Sequence, residues 1–177
     1  PCLISHIDAQ NLQDVAANTL ITQIKGSADA RKWRIIDKMR DANCIFCKIA
    51  NGEIPAATLY EDENFRVILD LGPASKGHAL ILPKSHAANI YELSDEMAAK
   101  AMILAKKMAT AMTAALKCDG FNIVQNNGEC AGQTVFHFHM HLIPRYKGDQ
   151  VGITWHPGEL SDADKEEILL KVKEQLS

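Results

Sequence analysis

Apolar residues recur along this chain with two different periods, and the change of period divides it. Leu12, Val15, Ala16, Leu20, Ile21 and Ile24 follow the spacing of one helix face. Gly26 and Ser27 supply a stop and a new N-cap, and a second helix is expected over roughly 28–40, with Trp33, Ile36 and Met39 on one face. From Asn43 onward strand signals take over. "TLYEDENFRVILD" and "GHALILPKSH" read as strands joined by turn residues, including Gly72, Pro73 and Gly77. "LSDEMAAKAMILAKKMATAMTAALKCDG" reads as one long helix, with Ser94 as N-cap and Gly120 just past its end. "FNIVQNNG" is a strand entering a Gly/Asn loop, "VFHFHMHLIP" is the next strand, and 161–176 form a charged terminal helix. Hairpins around one long helix predict an α+β fold with an antiparallel sheet over 43–177, preceded by a helical N-terminal extension over 1–42.

Composition narrows the function classes. Apolar content of 47% is that of a globular chain with a packed core. A net charge of −3 and a pI near 6.2 give no electrostatic case for a nucleic-acid partner. No apolar run is long enough to span a bilayer and no signal-peptide pattern opens the sequence, so no membrane partner and a cytoplasmic location are expected. The five cysteines are odd in number and irregularly spaced, which favours free thiols or a metal site over disulfides.

The candidate chemistry is concentrated in "TVFHFHMHLIPR". In a strand, alternate residues share a face, so His137, His139 and His141 would line one side and Phe136, Phe138, Met140 and Leu142 the other. Same-face neighbours lie roughly 6.5–7 Å apart, so the three imidazoles form a ridge. A solvated strand face normally carries Thr, Lys, Glu or Arg; three imidazoles in register point to catalysis or metal binding. A second cluster is Cys44-Ile45-Phe46-Cys47. On its own a Cys-x-x-Cys pair is a redox dithiol, half a zinc site or a coincidence, and no second such pair exists.

The ridge resembles the signature of the histidine triad (HIT) family, His-x-His-x-His followed by apolar residues. It stands inside "AGQTVFHFHMHLIPR", preceded in the family's order by "CIFCKI", "LDLGPASKGHALILPKSH" and "VQNNG". The resemblance covers 43 to about 157 and implies a nucleotide-binding hydrolase that cleaves at the α-phosphorus through a covalent nucleotidyl-histidine. It gives the nucleophile's role to His139. His141 would donate to a phosphate oxygen or to the leaving group, and His78 would line the same pocket. Neutral imidazole suits the first role, since it is a good nucleophile near its ordinary pKa. Gly128 and Gly132 would let backbone amides approach phosphate, with Asn126, Gln133 and Thr134 at positions that contact the phosphate and leaving group. Asp70 would take the ribose hydroxyls, and Ile45, Phe46, Ile49 and Leu71 would form the slot for a purine base. The resemblance also implies structural zinc on Cys44, Cys47, His86 and His137, a homodimer, and a place for Trp155 or His156 at the active-site border.

Two branches of that family compete. "CIFCKI" with "PKSH" leans toward zinc-containing nucleoside phosphoramidases, which release AMP from an amine. "AGQTV" leans toward cleavers of dinucleoside polyphosphates such as diadenosine tetraphosphate. The first is the favoured expectation. A non-enzymatic nucleotide-binding interaction module is the alternative from another class, and an intact His139 beside His141 and Gln133 argues against it.

Overall fold

A computed structural model describes residues 40–177. The helices expected over 12–24 and 28–40 lie outside the described residues, apart from Arg40, which is not helical. A short helix α1 (Ile45–Ala50) leads into strands β1 (Thr58–Glu61), β2 (Phe65–Leu69) and β3 (Ala79–Pro83). The long helix α2 (Asp95–Leu116) follows, then β4 (Gly120–Val124), a single 3-10 turn (Glu129–Ala131), β5 (Met140–Arg145) and helix α3 (Asp162–Leu176). The five strands form one antiparallel sheet in the order β1-β2-β3-β5-β4, as an α+β reading requires.

Every residue of β3 is buried, which follows from its central place and its unbroken apolar run "ALILP". Ala79 and Ile81 pack with Phe65, Val67, Met140 and Leu142 beneath Leu104, Met108 and Met112 of α2. Leu80 and Leu82 face the opposite way, into a smaller cluster with Ile68 and Ala50 that Phe46 and Ile49 of α1 cover. The sheet is thus sandwiched between a long helix and a short one. Leu80 pairs with His141 across the β3–β5 ladder, so His141 projects on the α1 side. His78 precedes Leu80 by two residues and shares that face.

Ser94 caps α2 as expected, its side chain accepting from the Met97 N–H, with Asp95 and Glu96 in the first turn to complement the helix dipole. The helix stops earlier than Gly120. Lys117 adopts the left-handed conformation at φ 54° and ends it, and Gly120 is already the first residue of β4. The histidine strand is also shorter than its alternation suggests. Regular pairing begins only at Met140, and residues 134–139 lie outside any strand. The reason is where the backbone donors go: Phe138 N–H donates to Ala87 O at 2.6 Å and His137 N–H to Val135 O at 2.9 Å. The in–out alternation survives in Phe138, Met140 and Leu142, which are buried in the α2 core, while Phe136 is half exposed.

Candidate active site and metal centre

His137 sits where three parts of the fold meet. Its ring is fully buried. Nε2–H donates to the carbonyl of Pro83, at the end of β3, over 3.0 Å. That fixes the tautomer and leaves Nδ1 bare, 3.5 Å from both Cys44 Sγ and Cys47 Sγ. Cys44 is the N-cap of α1 and Cys47 lies three residues on, a spacing that brings both sulfurs to one side of the helix start. His86 completes the group, with Nδ1 3.4 Å from Cys47 Sγ. Asn51, the C-cap of α1, donates to Cys47 O and to Lys84 O, both at 2.9 Å, and so ties the cysteine helix to the chain leading to His86.

The four ligand atoms lie within 4.8 Å of one another. Tetrahedral metal bonds of about 2.3 Å to sulfur and about 2.0–2.1 Å to nitrogen would set neighbouring S and N atoms about 3.5 Å apart. The three S···N separations above match. Burial pushes the Cys47 thiol up to about 11, so only a bound cation would hold it as thiolate near neutral pH. Burial also pulls the His137 imidazole down to about 4, which keeps its Nδ1 lone pair available. The donor set fits a closed Cys₂His₂ centre.

The next residue along the ridge depends on the same His137. His139 Nδ1–H donates to the His137 carbonyl at 2.6 Å, so in the neutral ring Nε2 carries the lone pair. Phe46, between the two cysteines, packs its ring edge-on against His139 at 5.2 Å and against His137 at 6.0 Å. His141 stands beside His139, ring centres 5.0 Å apart. Its Nδ1 lies 2.9 Å from His78 Nε2. Burial first, then the neighbouring His139 and His78, depress the His141 pKa to about 4. Burial also lowers that of His78, partly offset by Asp70. The Nε2 atoms of His139 and His141 have no hydrogen-bond partner among the described residues, and neither is sealed from solvent. A bare imidazole nitrogen beside a second imidazole edge is an arrangement that can attack an electrophile and, where the second edge carries a proton, bind the charge that develops on it.

Asp70 closes the wall of this space. Its N–H donates to His78 O at 3.0 Å, Oδ1 accepts from Gly72 N–H at 2.8 Å, and Oδ2 lies 3.6 Å from His78 Nε2. One carboxylate oxygen is thus engaged in a turn and the other faces the histidines. Gly128 and Gly132 flank the 3-10 turn at φ 83° and 88°. Gln133 is buried and its amide is engaged by the loop itself: Oε1 accepts from Gly128 N–H, and Nε2 donates to Ala88 O and Val135 O. It braces the loop rather than pointing into the site. Asn126 is half-buried beside Gly132.

Other positions named from the sequence are open to solvent. Leu71 is fully exposed, Ile45 is half exposed, Thr134 is exposed, and Trp155 and His156 are exposed on the segment leading to α3. Reading side chains missed the groups that act through the backbone. Pro83 O and Ala74 N–H each fix a histidine tautomer, and neither residue type advertises that role. Asn51 carried a signal, since Asn-Gly after an apolar run marks a helix end, but not its link to residue 84.

Among the described residues no helix is long and apolar enough to cross a membrane. The HIT domain pattern matches residues 51–148. The protein named hit of Bacillus subtilis is 44% identical over 138 residues, covering 76% of this chain and 95% of that one. Adenosine 5'-monophosphoramidase HNT1 of Saccharomyces cerevisiae is 42% identical over 138 residues, covering 75% and 85%. A solved structure described as a Zn-bound histidine triad family protein from Mycobacterium smegmatis superposes with a TM-score of 0.60 at 38% identity, over 73% of this chain and 91% of its own.

The depressed pKa of His141 makes stability depend on pH. An unfolded His titrates near 6.5, whereas His141 is held near 4. Between those values the unfolded chain binds more protons, so stability is full above about 6.5 and falls as the pH drops toward about 4. Denaturant unfolding followed across this range should show that decline, and His141→Gln should make it shallower. An unchanged profile in the variant would contradict the burial argument.

Proposed function

The chain belongs to the HIT family, and from that premise we propose that it hydrolyses AMP conjugates, nucleoside phosphoramidates foremost, at the α-phosphorus. The observation that carries the reading is the pair of Nε2 atoms with no hydrogen-bond partner among the described residues, on His139 and beside it on His141. The His139 lone pair forms a P–N bond as the bond to the departing amine breaks. The amine leaves with one added proton; water then attacks phosphorus, the P–Nε2 bond breaks, and one proton is released. AMP and the free imidazole result. His141 Nε2–H supplies a hydrogen bond to the reacting group, Asp70 Oδ2 takes the ribose hydroxyls, and Phe46 with Ile45 offers an apolar edge to the base. Gln133 contributes by holding the 128–133 loop in shape. The yeast relative's name as a monophosphoramidase supports this reading, as does an Arabidopsis relative, 35% identical, named an adenylylsulfatase. Both names describe AMP joined to a non-nucleotide group.

Zinc on Cys44, Cys47, His86 and His137 is part of the same proposal, supported by the matching S···N separations and by the Zn-bound relative. Bound there, the ion supplies charge that holds two thiolates and cross-links α1 to the segment entering β5. So is a homodimer. β4 is an edge strand carrying half-exposed Ile123, and α2 exposes Met102 and Ile103. A monomer mass by light scattering at micromolar concentration would rule the dimer out.

A side-by-side assay of an adenosine phosphoramidate and diadenosine tetraphosphate should give faster turnover of the first. The reverse order would move the chain to the polyphosphate branch, and no turnover of either would favour a binding module. His139→Gly should keep AMP binding while turnover falls by several orders of magnitude. Metal analysis of protein purified without added zinc should find one ion per chain. Cys44→Ser should lose it and melt at lower temperature with residual activity, whereas unchanged melting would contradict a structural ion.

A further inference from the structure

The loop from Asp70 to His78 contains a series of hydrogen bonds whose direction is fixed at one end. The Ala74 backbone N–H, which can only donate, lies 3.0 Å from His78 Nδ1. That nitrogen is therefore bare, and in the neutral ring the proton sits on Nε2. His78 Nε2 lies 2.9 Å from His141 Nδ1, so His78 donates and His141 accepts. His141 is left with its own proton on Nε2, the edge open to solvent. Asp70 Oδ2, 3.6 Å from His78 Nε2, is outside hydrogen-bond range and does not compete for the proton.

Asp70, His78 and His141 place ligand atoms within 4.8 Å of one another, near enough to suggest a cation. A metal on His78 Nε2 would force a proton onto Nδ1, directly against the Ala74 N–H. Ala74, His78 and His141 form a directed hydrogen-bond chain instead, with Asp70 beside it.

Two tasks are open to His141 in the reaction above: donating a hydrogen bond to a phosphoryl oxygen, or giving up its proton to the departing amine. The second needs a replacement proton on Nδ1, or the ring becomes an imidazolate. His78 has none to give without becoming an imidazolate itself, because Ala74 keeps its Nδ1 bare. We propose that His78 is a positioning residue that locks His141 as a neutral Nε2–H donor to a non-bridging phosphoryl oxygen, so that the departing group takes its proton from water. The proposal rests on the hydrolase reading and deepens it. The P–Nε2 bond forms as the bond to the leaving group breaks. His141 keeps its proton throughout, the leaving nitrogen takes one from water, and hydrolysis of the intermediate returns one to solvent. A site built this way recognises the adenylyl group, and the help His141 gives does not depend on how basic the leaving group is. Its substrate class is AMP joined to amines, sulfate or phosphates alike.

The test is a series of adenosine 5'-phosphoryl substrates with leaving groups running from an alkylamine through phenol to nitrophenol. Single-turnover rates are measured for wild type, His141→Ala, His78→Leu and His78→Gln. His141→Ala should slow every member by a similar factor, ~10²–10³-fold, without changing the dependence on leaving-group basicity. His78→Leu should lower kcat across the series with little change in KM. His78→Gln, whose amide N–H can donate to His141 Nδ1, should recover most of that loss. A His141→Ala effect that grows with leaving-group basicity would overturn the proposal, as would a Leu variant at wild-type rate or a Gln variant no better than Leu. Ring ¹⁵N NMR tests the lock without turnover: His141 should be protonated on Nε2 in wild type and His78→Gln, and a mixture of tautomers in His78→Leu. Nδ1 protonation in wild type would overturn it. A wild type that turns over no member yet carries the expected tautomers would overturn the hydrolase reading and leave the lock on His141 standing.

Discussion

The hydrogen bond from His139 Nδ1 to the carbonyl of His137 is the contact on which the rest of the site depends. It is short, buried and made to a backbone group, so no side-chain rotation can substitute for it. It also decides which nitrogen of His139 is bare. His137 is held in turn by Pro83 O on one ring nitrogen and by the two cysteines on the other. One residue therefore connects the end of β3, the start of α1 and the nucleophile. Displacing its ring would shift the carbonyl that orients His139.

The packing explains why this is affordable in a small sheet. β3 is apolar on both faces and anchors two separate cores, one under α2 and one under α1. The second core is small, and beside it the fold buries His78, His137, His139 and Gln133. Buried polar groups of this kind destabilise by a few kcal/mol each when left without partners. Here the inward-facing nitrogens find partners in Pro83, His137, Ala74 and the Gln133 loop, while the two Nε2 atoms that face outward do not. The groups left unpaired are the ones a ligand can reach.

Much of this was legible in the sequence, for identifiable reasons. Ser94 followed by Asp and Glu marked the start of α2, and the turn residues around Gly72 and Gly77 separated β2 from β3. The period of two in 136–142 placed Phe138, Met140 and Leu142 in the core. It overstated the strand, because alternation is blind to backbone partners, and the Ala87 carbonyl draws Phe138 N–H away from the ladder. The Cys-x-x-Cys pair gave half a ligand set from spacing; the other half, His86 and His137, came only from the family resemblance, since no spacing links residues 86 and 137 to residue 44. Gln133 was read as a group facing substrate, yet its amide is turned onto the loop backbone. The tautomers were invisible, since they are set by Pro83 O, His137 O and Ala74 N–H, which every sequence possesses.

The account stands on a single atom, the Nε2 of His139, attacking phosphorus. Rapid mixing of the wild-type protein with phosphoryl-labelled substrate, followed by an alkaline quench and peptide mapping, tests that directly. The label should be found on His139, in a linkage that survives base and breaks in acid. Label on any other residue, or substrate consumed with no labelled protein at the earliest times, would contradict it.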